Sequence, residues 1–203
     1  MPIGILALQG GFSEHEAALQ RLGADTCEVR KPEHLEDLHG LIIPGGESTT
    51  LGHLIAEYKL HGPLKSLSAR IPIWGTCAGL ILLARDTPGL VYPNLNVLNL
   101  TVRRNGYGRQ VNSFRTDARV PAIGSTPFPA IFIRAPVIDE LGPEVKILSR
   151  LPSGSHNGSK RGTPIAVRQG RILATTFHPE LTQDDRFHRY FLKLVHGQAP
   201  GRP

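Results

Sequence analysis

Short apolar runs alternate with helix-like segments over the first 85 residues, and this alternation restricts the fold more than any other feature of the chain. The apolar runs have strand length, whereas the segments between them place apolar residues at helical spacing. Strands that alternate with helices form a parallel sheet covered by helices. The predicted strands are residues 2–8, 26–30, 40–43 and 71–74, and the predicted helices are 12–22, 49–58, 62–69 and 80–84.

The pattern changes after Pro88, where six apolar runs follow one another with little helix between them. We expect some of these runs to extend the main sheet and others to form an antiparallel layer. A last amphipathic segment, Gln183–His196, closes the chain as a helix. The predicted fold class is therefore α/β: a three-layer, mostly parallel central sheet flanked by helices, with a small antiparallel extension. The six runs are 96–104, 110–117, 130–133, 145–150, 164–169 and 172–177.

Length and composition limit the remaining possibilities. A chain of 203 residues suits one well-cored domain, which we predict over residues 1–197, with a disordered tail over 198–203. No apolar run reaches membrane-spanning length, and the N-terminus lacks the features of a signal peptide. The two cysteines fit a reducing compartment, so we expect a cytoplasmic protein. The basic residues behind the net charge of +6 are scattered, so neither a nucleic acid nor a membrane is an expected partner.

The segment Gly75-Thr76-Cys77-Ala78-Gly79 lies between a predicted strand and a predicted helix. Its pattern, Gly-x-Cys-x-Gly, is the thiol counterpart of the nucleophile elbow of serine hydrolases. Small flanking residues permit the sharp turn, and the free N–H groups of a helix that begins after Cys77 favour the reactive thiolate. Cys77 is therefore a candidate nucleophile. The alternative is a buried structural cysteine.

A cysteine nucleophile needs a base, and the segment Phe177-His178-Pro179-Glu180 supplies one. His178 follows the last predicted strand, at the sheet edge where sites form in open α/β sheets. Glu180 is placed to hold the imidazole in one tautomer, as the third member of a triad. The other eight histidines show no metal-binding spacing, so we expect neither a metal nor a cofactor.

A third segment, Pro44-Gly45-Gly46-Glu47-Ser48-Thr49, also follows a predicted strand. Its two glycines allow backbone N–H groups to approach a ligand closely or to line an oxyanion hole. By itself the segment is best explained as a capped helix start. Phosphate binding is less favoured because the lysine of a P-loop is missing.

Together, the cysteine and histidine segments resemble the triad segments of class I glutamine amidotransferases. Further segments make the chain similar to the glutaminase subunits of pyridoxal 5'-phosphate synthase, over essentially the whole length up to about His196. The resemblance implies a class I glutamine amidotransferase-like, flavodoxin-like fold. The further segments are Leu8-Gln9-Gly10 with Glu14-His15, residues 44–49, Arg104-Asn105 with Gly108-Arg109-Gln110, and Phe132-Ile133-Arg134-Ala135-Pro136.

The resemblance also implies a role for each matching residue. Cys77 would attack the carboxamide of L-glutamine and form a glutamyl thioester, His178 would transfer protons, and Glu180 would orient His178. The ammonia would pass to a separate barrel-shaped synthase subunit, which Gln9 faces, in a large hetero-oligomer. The isolated subunit would be nearly idle until the synthase docks. The implied oxyanion-hole donors are the N–H groups of Gly46 and Ala78, and the implied glutamine-binding residues are Gly46, Glu47, Ser48, Arg104, Ile133 and Arg134.

Three other functions compete with this reading. A glutaminase could serve another acceptor, such as imidazole glycerol phosphate synthase, but the Ile133-Arg134-Ala135-Pro136 segment argues against that. A cysteine peptidase or another stand-alone cysteine hydrolase could use the same elbow. A binding or scaffold subunit with a vestigial triad is the non-enzymatic alternative.

Overall fold

The computed structural model describes residues 1–107, 113–152 and 162–197. Its helices are α1 (Phe12–Arg21), α2 (Ser48–Glu57), α3 (His61–Ser68), α4 (Ala78–Leu83) and α5 (Arg186–Val195), with 3-10 turns at Pro32–Leu35, Pro121–Ile123 and Pro179–Leu181. Its strands are β1 (Ile3–Leu6), β2 (Thr26–Val29), β3 (Gly40–Ile43), β4 (Ile73–Thr76), β5 (Ala84–Asp86), β6 (Leu98–Arg103), β7 (Ser113–Ala118), β8 (Phe128–Ile133), β9 (Val137–Leu141), β10 (Lys146–Arg150), β11 (Pro164–Gln169) and β12 (Ile172–Thr175).

The central sheet has seven strands in the order β10-β11-β12-β4-β3-β1-β2. The five strands from β12 to β2 are parallel, and β11 and β10 continue the sheet in antiparallel pairing. Parallel pairing places the carboxyl ends of β12, β4 and β3 side by side at one edge. The three chemical segments of the sequence follow these three strands, so the topology brings them together.

Two smaller sheets form the antiparallel extension. One contains β5, β6 and β9, and the other is the β7–β8 pair. The mostly parallel sheet with a small antiparallel addition, predicted from the sequence, is thus confirmed. The start of the strand predicted at 110–117 and the tail predicted at 198–203 lie outside the described residues.

The core consists of two layers, one on each face of the central sheet. Successive strand residues point to opposite faces. Leu41 of β3 and Ile73 of β4 therefore join a mainly aliphatic cluster, whereas their neighbours Ile42 and Trp74 join a cluster on the other face. This second cluster contains the buried aromatic rings, including Phe187 of α5. In the part of the chain that the structure describes, no helix is long and apolar enough to cross a membrane.

Candidate active site

Cys77 lies on a strained turn between β4 and α4. Its backbone has φ 46° and ψ −100°, in a region that residues with side chains rarely adopt. The Cys77 N–H donates a hydrogen bond to the Thr175 carbonyl oxygen at the end of β12, at 2.8 Å. The side chain is 5% exposed. The structure therefore has the strand, sharp turn and helix in the order that the sequence predicts.

The glycines on either side of Cys77 allow strand and helix to pack closely. A methyl group on Gly75 would lie 2.6 Å from the carbonyl carbon of Gly79. A methyl group on Gly79 would overlap the carbonyl oxygen of Ile43. The two glycines thus fix α4 directly against the ends of β4 and β3. Ala78, the first residue of α4, consequently presents one of the first-turn N–H groups that a helix leaves without an intrahelical acceptor.

His178 and Glu180 lie on the neighbouring strand end. The His178 N–H donates to the Ile131 carbonyl oxygen of β8 at 2.8 Å, which anchors the backbone. The 3-10 turn Pro179–Leu181 then folds Glu180 back, so that His178 Nδ1 and Glu180 Oε1 are 2.7 Å apart. Both residues are buried. Because Nδ1 is bound to the carboxylate, Nε2 is the ring nitrogen left for the cysteine.

Charge favours a protonated ring at His178. Burial lowers the pKa of His178, but hydrogen bonds with Cys77 and Glu180, and the charges of both groups, raise it to about 10. His178 is therefore an imidazolium at neutral pH. An imidazolium next to a cysteine favours the thiolate, which is the nucleophilic form.

The Gly45-Gly46 loop after β3 covers the other side of His178. A methyl group on Gly45 would overlap His178 Cε1, so only glycine fits there without moving the ring. The Gly45 N–H donates to Thr76 Oγ1 at 2.9 Å, and the Gly45 carbonyl oxygen accepts from the Gly11 N–H at 3.2 Å. The loop is thereby held between the elbow and the turn before α1.

Glu47 caps helix α2 in this structure. Its two carboxylate oxygens accept the N–H groups of Thr49 and Thr50 at 2.9 and 2.7 Å. Burial raises the pKa of Glu47, but these hydrogen bonds outweigh it and lower the pKa to about 2. The residue is thus a charged N-cap. Its assignment as a glutamine-binding residue stays a prediction.

The other predicted glutamine-binding residues lie in two places. Arg104 binds the start of α2, with Nη1 at 3.0 Å from Thr49 Oγ1 and 3.4 Å from Ser48 Oγ. Ile133 ends β8, and its carbonyl oxygen is 3.9 Å from Cys77 Sγ. Arg134 follows it at φ 44°, with an exposed side chain. Ile133 is therefore beside Cys77, whereas Arg104 and Ser48 are joined to each other at the helix start.

A cavity of about 270 Å³ lies beside His178 and Glu180, between the Gly45-Gly46 loop and the turn before α1. Its walls include Gly46, Ile133, His178 and Glu180, together with the carboxylate of Glu14, which the sequence analysis did not assign to the site. Gln9, predicted to face a partner, accepts the Glu47 N–H with its side-chain oxygen at 3.1 Å. In the described residues, no group of three His, Cys, Asp or Glu side chains could hold a metal ion.

Two further histidines, His15 and His188, are buried behind the triad, and the sequence pattern assigns them no role. His15 Nδ1 of α1 lies 2.9 Å from His188 Nε2 of α5. Burial, together with the nearby His188 and His178, lowers the pKa of His15 well below 6.5. Burial likewise lowers the pKa of His188 to about 4. The pattern Glu14-His15 was part of the family resemblance, but nothing in the spacing of one helix predicts a contact with α5.

Comparison with protein-family models matches residues 5–196 to the SNO glutamine amidotransferase family. Two relatives are each called "Pyridoxal 5'-phosphate synthase subunit PdxT". The protein of Dehalococcoides mccartyi (strain ATCC BAA-2100 / JCM 16839 / KCTC 5957 / BAV1) is 50% identical over 96% of this chain and 97% of its own length. The protein of Herpetosiphon aurantiacus is 51% identical over 96% of this chain and 100% of its own length.

Solved structures give the same fold. A crystal structure described as a glutamine amidotransferase has a TM-score of 0.86 and 49% identity, covering 96% of this chain and 98% of its own. PurLQS from Thermotoga maritima has a TM-score of 0.71 at 15% identity, covering 96% of this chain and 98% of the matched chain. At that identity the second match supports only the fold.

Substituting Gly45 by alanine should disable the site while leaving the fold intact, because the added methyl group meets His178. We expect the alkylation of Cys77 by iodoacetamide at pH 7 to slow by about tenfold, since the imidazolium no longer sits beside the sulfur. Gly62→Ala is the matched control, because a methyl group there meets open space. Equal alkylation rates in the two variants would contradict the packing described for His178.

The buried histidines predict acid sensitivity of the fold. The unfolded chain protonates them below about pH 6.5, whereas folded His188 stays neutral down to about pH 4. The contribution of these two histidines to the free energy of unfolding is therefore complete above pH 6.5 and is lost as the pH falls towards 4, by up to about 1.4 kcal/mol per pH unit for each histidine. The free energy of unfolding, measured with urea, should fall less between pH 7 and pH 5 in His188→Gln than in the wild type. An equal fall in the two proteins would refute the assignment of this acid sensitivity to buried His188. His39→Gln, which removes an exposed histidine, should behave as the wild type.

Proposed function

This chain belongs to the SNO glutamine amidotransferase family, and we propose that it hydrolyses L-glutamine to L-glutamate and ammonia, which it delivers to a pyridoxal 5'-phosphate synthase subunit. The observation that carries the reaction is the buried contact of His178 Nδ1 with Glu180 Oε1 at 2.7 Å, beside Cys77 on its strained turn. The acceptor is supported by relatives of about half identity over almost the whole chain, which are named as subunits of that synthase.

The geometry supports a two-step reaction. In the first step, the Cys77 thiolate adds to the carboxamide carbon of glutamine, and a carbon–sulfur bond forms. The Ala78 N–H at the start of α4, with that of Gly46, would stabilise the oxyanion. When the carbon–nitrogen bond breaks, the His178 imidazolium gives its Nε2 proton to the leaving nitrogen, and ammonia departs. A glutamyl thioester remains on Cys77.

In the second step, water replaces the sulfur. His178 is now neutral and takes a proton from the attacking water, while Glu180 stabilises the imidazolium that forms again. The carbon–sulfur bond breaks, glutamate leaves, and the thiolate–imidazolium pair is restored. The same ring thus acts as acid in the first step and as base in the second, as its contacts with both Cys77 and Glu180 allow.

Roles in substrate binding follow from position. We assign the α-carboxylate of glutamine to the positive groups at the start of α2, where Arg104 lies, and to the exposed Arg134. The α-ammonium needs a carboxylate, which Glu47 supplies at the loop and Glu14 supplies at the cavity wall. Ile133 lines the cavity with Gly46, and Ser48 lies beside Arg104 at the start of α2.

The partner assignments extend the proposal. Gln9 joins the Glu47 N–H and lies next to the Gly45-Gly46 loop. In this structure the Gly11 N–H donates to the Gly45 carbonyl oxygen and so holds the peptide that also carries the Gly46 N–H. A subunit that docks near Gln9 would therefore act directly on this peptide. We infer that the chain works in the cytoplasm, within a large hetero-oligomer with the synthase. Residues 1–197 would form a single amidotransferase domain.

The competing functions are less well supported. An imidazole glycerol phosphate synthase glutaminase would share the triad, but the relatives that cover nearly the whole chain are named for pyridoxal 5'-phosphate synthase. A stand-alone hydrolase is less well supported because the same relatives are named as subunits of a synthase. A scaffold would not need a strained turn at Cys77, because backbone strain of this kind persists where a site requires it.

Glutamate release from glutamine, measured for the purified chain alone and with a pyridoxal 5'-phosphate synthase subunit, tests the proposal. We expect strong stimulation by the partner and complete loss in Cys77→Ala, because the thiolate forms the intermediate. Cys27→Ala is the matched control, since that cysteine is half-buried on β2, and should retain full activity. Activity unchanged by the partner would remove the assigned acceptor, and no release in either condition would overturn the reaction.

A further inference from the structure

We propose that His15 is a positioning residue for this reaction: with His188 behind it, His15 holds the Glu180 carboxylate in the orientation that binds His178. The inference rests on the proposed function, because it concerns the same site. It assigns a role to two buried histidines that the mechanism above does not use.

The contacts place His15 on the far side of Glu180 from His178. Glu180 Oε1 accepts the Nδ1 hydrogen of His178, and Glu180 Oε2 lies 3.4 Å from His15 Nε2. The side chains of His15 and Glu180 are 0% and 1% exposed. Within the described residues, Oε2 has no hydrogen-bond partner of good geometry, so the edge of the His15 ring is the polar group that the structure offers it.

The tautomer follows from the neighbours of each ring nitrogen. A carboxylate oxygen repels a lone pair, so His15 Nε2 carries the hydrogen towards Oε2 and towards Thr76 Oγ1, which lies at 3.3 Å. His15 Nδ1 must then accept, and His188 Nε2 donates to it across 2.9 Å. This arrangement gives each ring N–H an acceptor. It leaves the His188 Nδ1 lone pair unmatched, and Glu180 Oε2 has only the 3.4 Å contact with His15 Nε2.

Both rings are locked in place. Trp74 packs edgewise against His15 and His188, with ring centroids 5.3 and 5.0 Å apart. Charged groups near His188 are Asp185, which precedes α5, and Arg21 of α1, which form an ion pair at 2.6 Å. The histidines are neutral because burial opposes their protonation. A neutral donor can orient a carboxylate without competing with His178 for its negative charge.

The consequence for the reaction is indirect. If the donor facing Oε2 is lost, the carboxylate can rotate away from His178 Nδ1, and the imidazolium loses part of its stabilisation. The thiolate of Cys77 then becomes less favourable as well, because the imidazolium stabilises it. Thr76 links the same network to the loop, since its hydroxyl accepts the Gly45 N–H.

Two substitutions separate this role from simple core packing. His15→Asn keeps an amide near the Nδ1 position, facing His188, but withdraws the donor that faces Glu180. His15→Gln places an amide N–H near the Nε2 position and should restore that donor. Exposed His39→Gln is the control for loss of a histidine. All variants carry Cys27→Ser, so that Cys77 is the only thiol.

The first measurement is the pH dependence of Cys77 alkylation by iodoacetamide in the full chain, which needs neither glutamine nor the synthase. In His15→Asn we expect the midpoint to rise by about one pH unit, because the thiolate–imidazolium pair is weakened. The second is glutamate release with the synthase subunit, where kcat should fall roughly tenfold with KM nearly unchanged. His15→Gln should return both readouts most of the way to the wild type.

An unshifted alkylation midpoint in folded His15→Asn would overturn the proposal, as would equal loss in the Asn and Gln variants. If His15→Asn does not fold, His188→Asn replaces it, because asparagine withdraws the Nε2 donor that faces His15 Nδ1. A smaller upward shift is expected, and an unshifted midpoint would contradict the proposal. If the wild-type protein releases no glutamate but the alkylation midpoint still shifts in His15→Asn, the proposed function is wrong and the positioning role is kept.

Discussion

The strained turn at Cys77 is the constraint on which the site depends. The turn has positive φ, and it is stabilised by close packing of Gly75 on Gly79 and of Gly79 on the end of β3. Since β4 is the middle strand of the seven and lies between β12 and β3, this turn opens at the centre of the sheet. The segments that follow the two neighbouring strands therefore have to meet at the nucleophile.

Burial then determines the charges. The site excludes water from Glu180, and a buried carboxylate is unstable unless it is paired. His178 supplies the pairing charge, and the short contact between them holds the ring so that Nε2 faces the sulfur. The His178 ring is therefore both the acid and the base of the proposed reaction, and Cys77 and Glu180 stabilise its protonated form from either side. The contact between α1 and α5 behind Glu180 extends the same arrangement into the core.

The sequence could predict the elements that depend on local pattern. The alternation of strands and helices predicted the parallel sheet, and the small residues around Cys77 predicted the turn. The sequence did not reveal β9, Val137–Leu141, because acidic residues occupy the middle of that strand. It also missed β5, a strand of three residues that follows α4 without a break and pairs with the next strand, β6.

Contacts between distant elements were beyond the reach of any local pattern. Glu47 is predicted to bind glutamine, and the structure adds that its carboxylate caps the helix that begins beside it; the binding role stays a prediction. His15 was only one of nine histidines in the sequence. Its proposed role depends on the packing of α1 and α5 around Trp74, and this packing depends on the whole fold.

The most direct test of the account is mass spectrometry of the intact chain, quenched in acid while it turns over glutamine with the synthase subunit present. The account predicts a glutamyl adduct on Cys77, which is absent from Cys77→Ala and disappears when glutamine is exhausted. Glutamate release without any adduct, or with an adduct on another residue, would contradict the assignment of Cys77 as the nucleophile.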